Sequence, residues 1–168
     1  MRINSLSTLH TFFQTLIAQV GGIDKLVILS NGEDAVDEID AYYERDAANT
    51  TCFLQVAEAE RRQNEARSER LALLCSVTIA QKPRQAGTTE RLATRDRTLG
   101  IMLHLIGAIE QAVEESQYEV EELDVMDEVD LLLHRNRILP LGKLANVSLQ
   151  GWYVDLDVVI PANPLMYP

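Results

Sequence analysis

The chain has 168 residues, 46% of them hydrophobic and 24% charged, a globular composition of a size that suits one domain around one core. Its net charge of −11 argues against binding to DNA, RNA or an anionic membrane, and in favour of protein partners with basic surfaces. No apolar run approaches the roughly 18 to 20 residues needed to span a bilayer.

Residues 4 to 20 predict a first helix. Asn4, Ser5 or Ser7 can cap it, and Leu6, Leu9, Phe13, Leu16, Ile17 and Val20 recur at helical spacing along one face. Gly21-Gly22 ends it. The stretch does not read as a signal peptide, because a basic region followed by an unbroken apolar core and a small-residue cleavage site is missing. A soluble, cytosolic chain is the expectation.

LVILS, residues 26 to 30, is a candidate edge strand, and Asn31-Gly32 marks a turn. Residues 33 to 46 predict a short second helix. Val36, Ile39 and Tyr43 recur three and four apart, and acidic residues crowd the first turn, where the helix dipole favours them.

TCFLQVAEAE, residues 51 to 60, predicts a strand with Cys52, Leu54 and Val56 on one face and Thr51, Phe53 and Gln55 on the other. RRQNEARSER then reads as an exposed loop or the solvated tip of a long hairpin. LALLCSVTIAQKP, residues 71 to 83, predicts a central strand closed by Pro83. Cys52 and Cys75 both fall in apolar β-like runs. Buried free thiols fit them better than a disulfide, which points weakly to a reducing compartment.

Thr88 or Thr89 can cap the main helix, expected over residues 90 to 116 with a buried stripe of Leu92, Leu99, Met102, Leu103, Ile106, Ile109 and Val113. Gly100 and Gly107 lie seven apart on one side, and the expectation is close packing of helix on sheet. A strand is expected near 118 to 124 or 129 to 134, then a loop through Pro140 and Gly142, and a strand over 144 to 150. GWYVDLDVVIP, residues 151 to 161, alternates most cleanly of all. Trp152, Val154, Leu156, Val158 and Ile160 face a core, and Asp155 and Asp157 face away. The whole reads as a single α+β domain over residues 1–168: a mainly antiparallel sheet with helices packed on one face, in the order α-(β)-α-β-β-α-β-β.

No nucleophile elbow, phosphate-binding loop or dinucleotide fingerprint occurs. His10, His104 and His134 have no Cys or His at metal-ligand spacing, and the acidic run Glu114 to Asp130 lacks the pattern of an EF-hand loop. No catalytic, cofactor-binding or metal-binding residue is assigned. Asp155 and Asp157 could bind a divalent cation or form a glycosidase-like pair, but no partner in the sequence supports either. The favoured reading is a solvated outer sheet face, or pairing with Arg or Lys across strands. Arg84, Arg91, Arg95 and Arg97 form the main basic concentration, suited to the acidic regions of an adjacent copy. An enzyme or ligand-binding domain would join Asp155, Asp157, His104 or His134 in one cleft. An acidic adaptor would use the 116–130 region against a basic protein.

An N-terminal helix, a second helix with Tyr42-Tyr43, a hairpin of two long strands, one long helix and the closing GWYVDLDVVIP strand together resemble the tail-completion proteins of tailed bacteriophages and prophages. The nearest likeness is to the tail terminator and neck group. The resemblance covers most of the chain in element order, and in letters only residues 150 to 161. It implies a tail-terminator-like sandwich that forms a ring, commonly a hexamer. Such a ring caps the tail tube, joins tail to head in the virion, and needs no cofactor. The implied partners are copies of the chain itself and tail-tube and head-neck proteins, without sequence-specific nucleic acid or membrane. An acidic chain suits a lumen that DNA must pass without sticking. The candidate interface residues are Arg61, Arg62, Glu65, Arg67, Glu69, Arg84, Glu121, Glu122, Asp124, Asp155 and Asp157.

Overall fold

The computed structural model describes residues 5–29, 35–45, 50–63, 69–120, 130–133, 137–141 and 149–161. The fold is α+β, as the sequence predicts. Helix α1 (Leu6–Val20) leads to strand β1 (Lys25–Leu29), helix α2 (Ala35–Arg45) and the strands β2 (Thr51–Gln63) and β3 (Glu69–Gln81). Helix α3 (Thr88–Val120) follows, then β4 (Asp130–Leu133), the two-residue β5 (Leu139–Pro140) and β6 (Gln150–Pro161).

The sheet runs β1-β2-β3-β6-β4, with β5 pairing to β6 beside β4. β1 and β2 are parallel and every other pair is antiparallel. The closing strand therefore lies inside the sheet: β3 flanks it along Gln150–Pro161, and β5 and β4 share its other side.

Local chemistry sets the element ends. The Ser5 side chain accepts from the Thr8 amide at 3.2 Å, while Thr8 Oγ1 accepts from the Ser5 amide at 2.9 Å. This is a capping box with threonine in the position usually held by glutamate. At the other end of α1, Gly21 and Gly22 take φ of 69° and 74°, which non-glycine residues seldom adopt. Asp24 then ties the entry of β1 to the start of β2. Its amide donates to the Thr50 carbonyl, and its Oδ2 accepts from the Thr50 amide, each at 2.8 Å.

Register divides the core between two faces. On one, Cys52 and Leu54, Cys75, Val77 and Ile79, and Val154, Leu156 and Val158 meet α1 through Leu9, Phe13 and Leu16, and α3 through Met102, Leu105 and Ile109. Val154, Leu156 and Val158 lie on the face the alternation assigns, and the side chain of Ile160 is outside the described set. On the other face, Phe53 and Ala80 join Leu29, Leu149 and the α2 residues Ile39 and Tyr43. The expectation that all helices share one face thus holds for α1 and α3 but not for α2. The physical reason is visible in β2, where Cys52, Phe53 and Leu54 are all buried, so both faces need a cover.

Other expectations need correction. Among the described residues three strands follow α3, where the expected order α-(β)-α-β-β-α-β-β has two. α3 extends to Val120, so 118–120 is helical; 121–124 lies outside the described residues, and the alternative strand near 129 to 134 appears as β4. Of the two readings of RRQNEARSER, the long hairpin is the one that holds where it is described: strand pairing continues to Gln63 and resumes at Glu69, and residues 64–68 lie outside the described set. Of the strand expected over 144 to 150, residues 144–148 lie outside the described set, and Gln150 begins β6. Pro140, expected in a loop, pairs with Trp152.

The expected face of α1 holds at Leu9, Phe13, Leu16 and Ile17, with Phe12 added and Leu6 exposed. That of α3 keeps Met102 and Ile109, but Leu92 and Leu103 are exposed, while Leu105, Thr94 and Thr98 are buried. The two threonines were overlooked because their methyl groups fill core space while their hydroxyls make them read as surface. Thr98 directs its hydroxyl back to the Thr94 carbonyl at 3.0 Å, which meets the polar requirement within the helix. Gly100 and Gly107 do not mark close packing, since a Cβ at either would meet nothing within 4 Å.

Candidate functional site

The closing strand was the place to look for a carboxylate pair. β6 puts Tyr153, Asp155, Asp157 and Val159 on the face opposite α3, paired with Thr78, Ser76, Leu74 and Ala72 of β3. Asp155 is half-buried, and Asp157 is only 2% exposed. The expectation that both face solvent or a neighbouring subunit is therefore corrected for Asp157. An interior strand has neighbours on both sides, and Leu74 and Leu132 stand directly across from Asp157. Asp155 occupies the interval between β5, which pairs with Trp152–Tyr153, and β4, which pairs with Leu156–Val159. The two carboxylates share a face but not an environment.

The histidines do not join them. His104 is exposed on α3, across the sheet from Asp155 and Asp157, and His134 lies outside the described residues. The cleft that an enzyme reading would need from His104 and these carboxylates is not formed. Among the described residues, no group of three or more His, Cys, Asp or Glu side chains is placed to hold a metal ion. No described helix is long and apolar enough to cross a membrane.

Cys52 and Cys75 are free and buried, as expected. Burial pushes each thiol up to about 12, and at Cys75 the negative charge of Asp157 adds to the effect. Such thiols are poor nucleophiles and poor metal ligands near neutral pH. Tyr43 is likewise sequestered. It is fully buried, burial raises its phenol well above the ordinary tyrosine range, and its hydroxyl donates to the Ala80 carbonyl at 2.6 Å. With Tyr42 and Phe53 it forms an aromatic cluster with ring centroids 5.3–5.9 Å apart, which anchors α2.

Polar chemistry concentrates instead at one end of the sheet, where β3 leaves it, α3 begins and β6 enters. Arg84 and Arg91 are exposed, and Arg97 donates to Gln81 Oε1 at 3.1 Å from the first turns of α3. The Arg95 guanidinium lies 4.9 Å from the centroid of the Trp152 ring, and Trp152 Nε1 donates to the Arg95 carbonyl at 3.0 Å. Lys82 belongs to the same end. Of the candidate interface residues, Arg84 is brought to this basic end. Arg61, Arg62 and Glu69 lie toward the hairpin tip by backbone position. Glu65, Arg67, Glu121, Glu122 and Asp124 lie outside the described residues.

The contact between Trp152 and Arg95 was missed in the sequence. Its only trace there was the single tryptophan standing at the entry of the closing strand. Thr94 was also missed; its hydroxyl is buried with no hydrogen-bond partner among the described residues. Compared with protein-family models, the chain matches none, and a search among curated proteins finds no match.

Proposed function

We propose that this chain is a structural virion protein of a tailed phage or prophage: a tail terminator that assembles as a ring, caps the tail tube and joins tail to head. The observation that carries the reading is the long β2–β3 hairpin. Its strands are 13 residues each, and β1 pairs only with Thr51–Gln55. Beyond a bulge between Val56 and Glu58, the outer edge of β2 has no partner strand among the described residues. Edges of this kind are where sheets add neighbours, and charges along them select which neighbour is accepted. Glu58, Glu60, Arg61 and Arg62 supply both signs there.

The element order through α3, on which the resemblance rests, is that of the fold described above. The exposed and half-buried charges then serve docking between subunits, and the buried thiols and phenol hold the fold.

The test is functional capping. Purified tail-tube protein is polymerised with and without the chain, and tube lengths are measured by electron microscopy. Short, uniform tubes ending in a ring are expected. Unchanged tube lengths, or a gene neighbourhood without head or tail genes, would remove this reading.

A further inference from the structure

α3 carries its charges in the order that its own dipole disfavours. Its first ten residues hold Arg91, Arg95 and Arg97 against Glu90 and Asp96, and Lys82 and Arg84 lie just before it. Its last sixteen hold Glu110, Glu114, Glu115 and Glu119 and no lysine or arginine. A helix already presents positive charge at its N-terminus and negative charge at its C-terminus, so stabilising sequences place side chains of opposite sign there. Here the side chains reinforce the dipole. A pattern that works against its own helix points to a use outside it.

The fold converts this order into two ends of a molecule. Thirty-three helical residues extend about 50 Å. α3 lies along β6 from Trp152, which bonds to Arg95, to the level of β4, which pairs with Leu156–Val159. The basic end thus sits where β6 enters the sheet, and the acidic half of the helix runs toward the other end. Arg84 and Arg91 are exposed and pair with no carboxylate among the described residues, and Glu110 is exposed as well.

We propose that copies of this chain associate head to tail, the basic end built by Lys82, Arg84 and Arg91 docking on the acidic C-terminal half of α3 in a second copy. Net repulsion between chains of charge −11 argues against self-association at very low salt. At about 0.1 M salt, charges further apart than about 10 Å are screened, while opposed groups in contact still attract. The same net charge selects a second copy over nucleic acid, because a duplex brings its charge as an extended field and not as one local patch. A head-to-tail contact is heterologous, so it closes into a ring or continues as a filament. The proposal rests on the self-assembling reading above and names the surfaces that meet.

Light scattering coupled to size-exclusion chromatography tests it. The wild-type chain should exceed its monomer mass of 18.9 kDa at about 0.1 M salt and return to it at about 1 M. Arg84→Glu with Arg91→Glu, and separately Glu110→Lys with Glu114→Lys, should each be monomeric and folded by circular dichroism. Mixed one to one, the two variants should recover the higher mass, since one now offers two acidic ends and the other two basic ends. A monomeric wild type at about 0.1 M, variants that keep the higher mass, or a mixture that stays monomeric would each overturn the contact. So would retention of a labelled DNA duplex by the monomeric wild type that Arg84→Glu with Arg91→Glu abolishes. Charge-dependent association by a chain that leaves tail tubes uncapped would keep this contact and remove only the tail-terminator reading.

Discussion

Trp152 and Arg95 are joined twice: the indole Nε1 donates to the Arg95 carbonyl at 3.0 Å, and the Arg95 guanidinium stacks 4.9 Å from the ring centroid. One residue of β6 thereby fixes where α3 crosses the sheet. Trp152→Phe keeps an aromatic ring for the cation and removes the donor. The Thr98 hydroxyl lies 3.0 Å from both the Thr94 and the Arg95 carbonyls and shares its one proton between them, so the Arg95 carbonyl is not left bare. The expected loss is therefore at the lower end of the range for a buried hydrogen bond, about 1 kcal/mol, plus the smaller burial of phenylalanine. Urea denaturation followed by circular dichroism measures it, and an unchanged midpoint would show that the bond contributes nothing to α3 docking.

Gly151 has a different role from the other glycines. It pairs with Ala80, and a Cβ there would run into the Ile79 carbonyl oxygen and come within 2.9 Å of the Ala80 Cα. Both obstacles are backbone, so neither can turn away. Gly151→Ala should force β3 and β6 apart at their tightest point and cost about 3 kcal/mol, at the upper end for overpacking. Thermal unfolding read by Trp152 fluorescence would detect a fall in midpoint of several degrees. A wild-type midpoint would mean that the two strands can separate without cost.

Much of this fold was legible because alternation and glycine punctuation are local signals. β6 could be read from Trp152, Val154, Leu156 and Val158, and α1 from its Ser5 cap and Gly21 end. What stayed hidden depends on neighbours that a strand cannot announce. Asp157 reads as solvent-facing in any single strand, but it is buried in a strand that has paired neighbours on both sides at that position. Phe53 alternates correctly against Cys52 and Leu54, yet nothing local says that α2 will cover its face. In the same way, Leu92 and Leu103 match a helical stripe as well as Leu105 does, and only the docking angle of α3 decides among them. The basic end was visible as a run of arginines. Its relation to the acidic half of the same helix required the direction of α3 along β6.

Gly107 offers a gain in stability where packing would have forbidden it. The residue is exposed inside α3, and a Cβ there meets nothing within 4 Å. Glycine in a helix interior costs roughly 1 kcal/mol relative to alanine, mostly through the entropy of the unfolded chain. Gly107→Ala should raise stability by about 0.5–1 kcal/mol in the monomeric state. Guanidinium titration at about 1 M salt or above keeps self-association out of the measurement. A destabilised variant would mean that the helix needs glycine there for a contact the free chain does not make.

The two cysteines should be silent in the folded chain and vulnerable at alkaline pH. Burial holds both thiols protonated, with values of about 12 in place of the ordinary 9.0. A thiol reagent such as dithionitrobenzoate should therefore react with neither near pH 8, and with both once the chain is unfolded. The pH dependence follows from the same shift. Above about pH 9 the unfolded chain releases these protons while the folded chain keeps them, so unfolding gains and stability declines as pH rises from 9 toward 12. Each thiol contributes a slope of about 1.4 kcal/mol per pH unit across that window. Below pH 9 neither form ionises, and the thiols add no pH dependence. Cys52→Ala with Cys75→Ala loses packing at every pH but should flatten the alkaline limb of the stability curve. Native thiols that react at pH 8, or an alkaline limb unchanged in the double variant, would show that the core around Cys52 and Cys75 admits water.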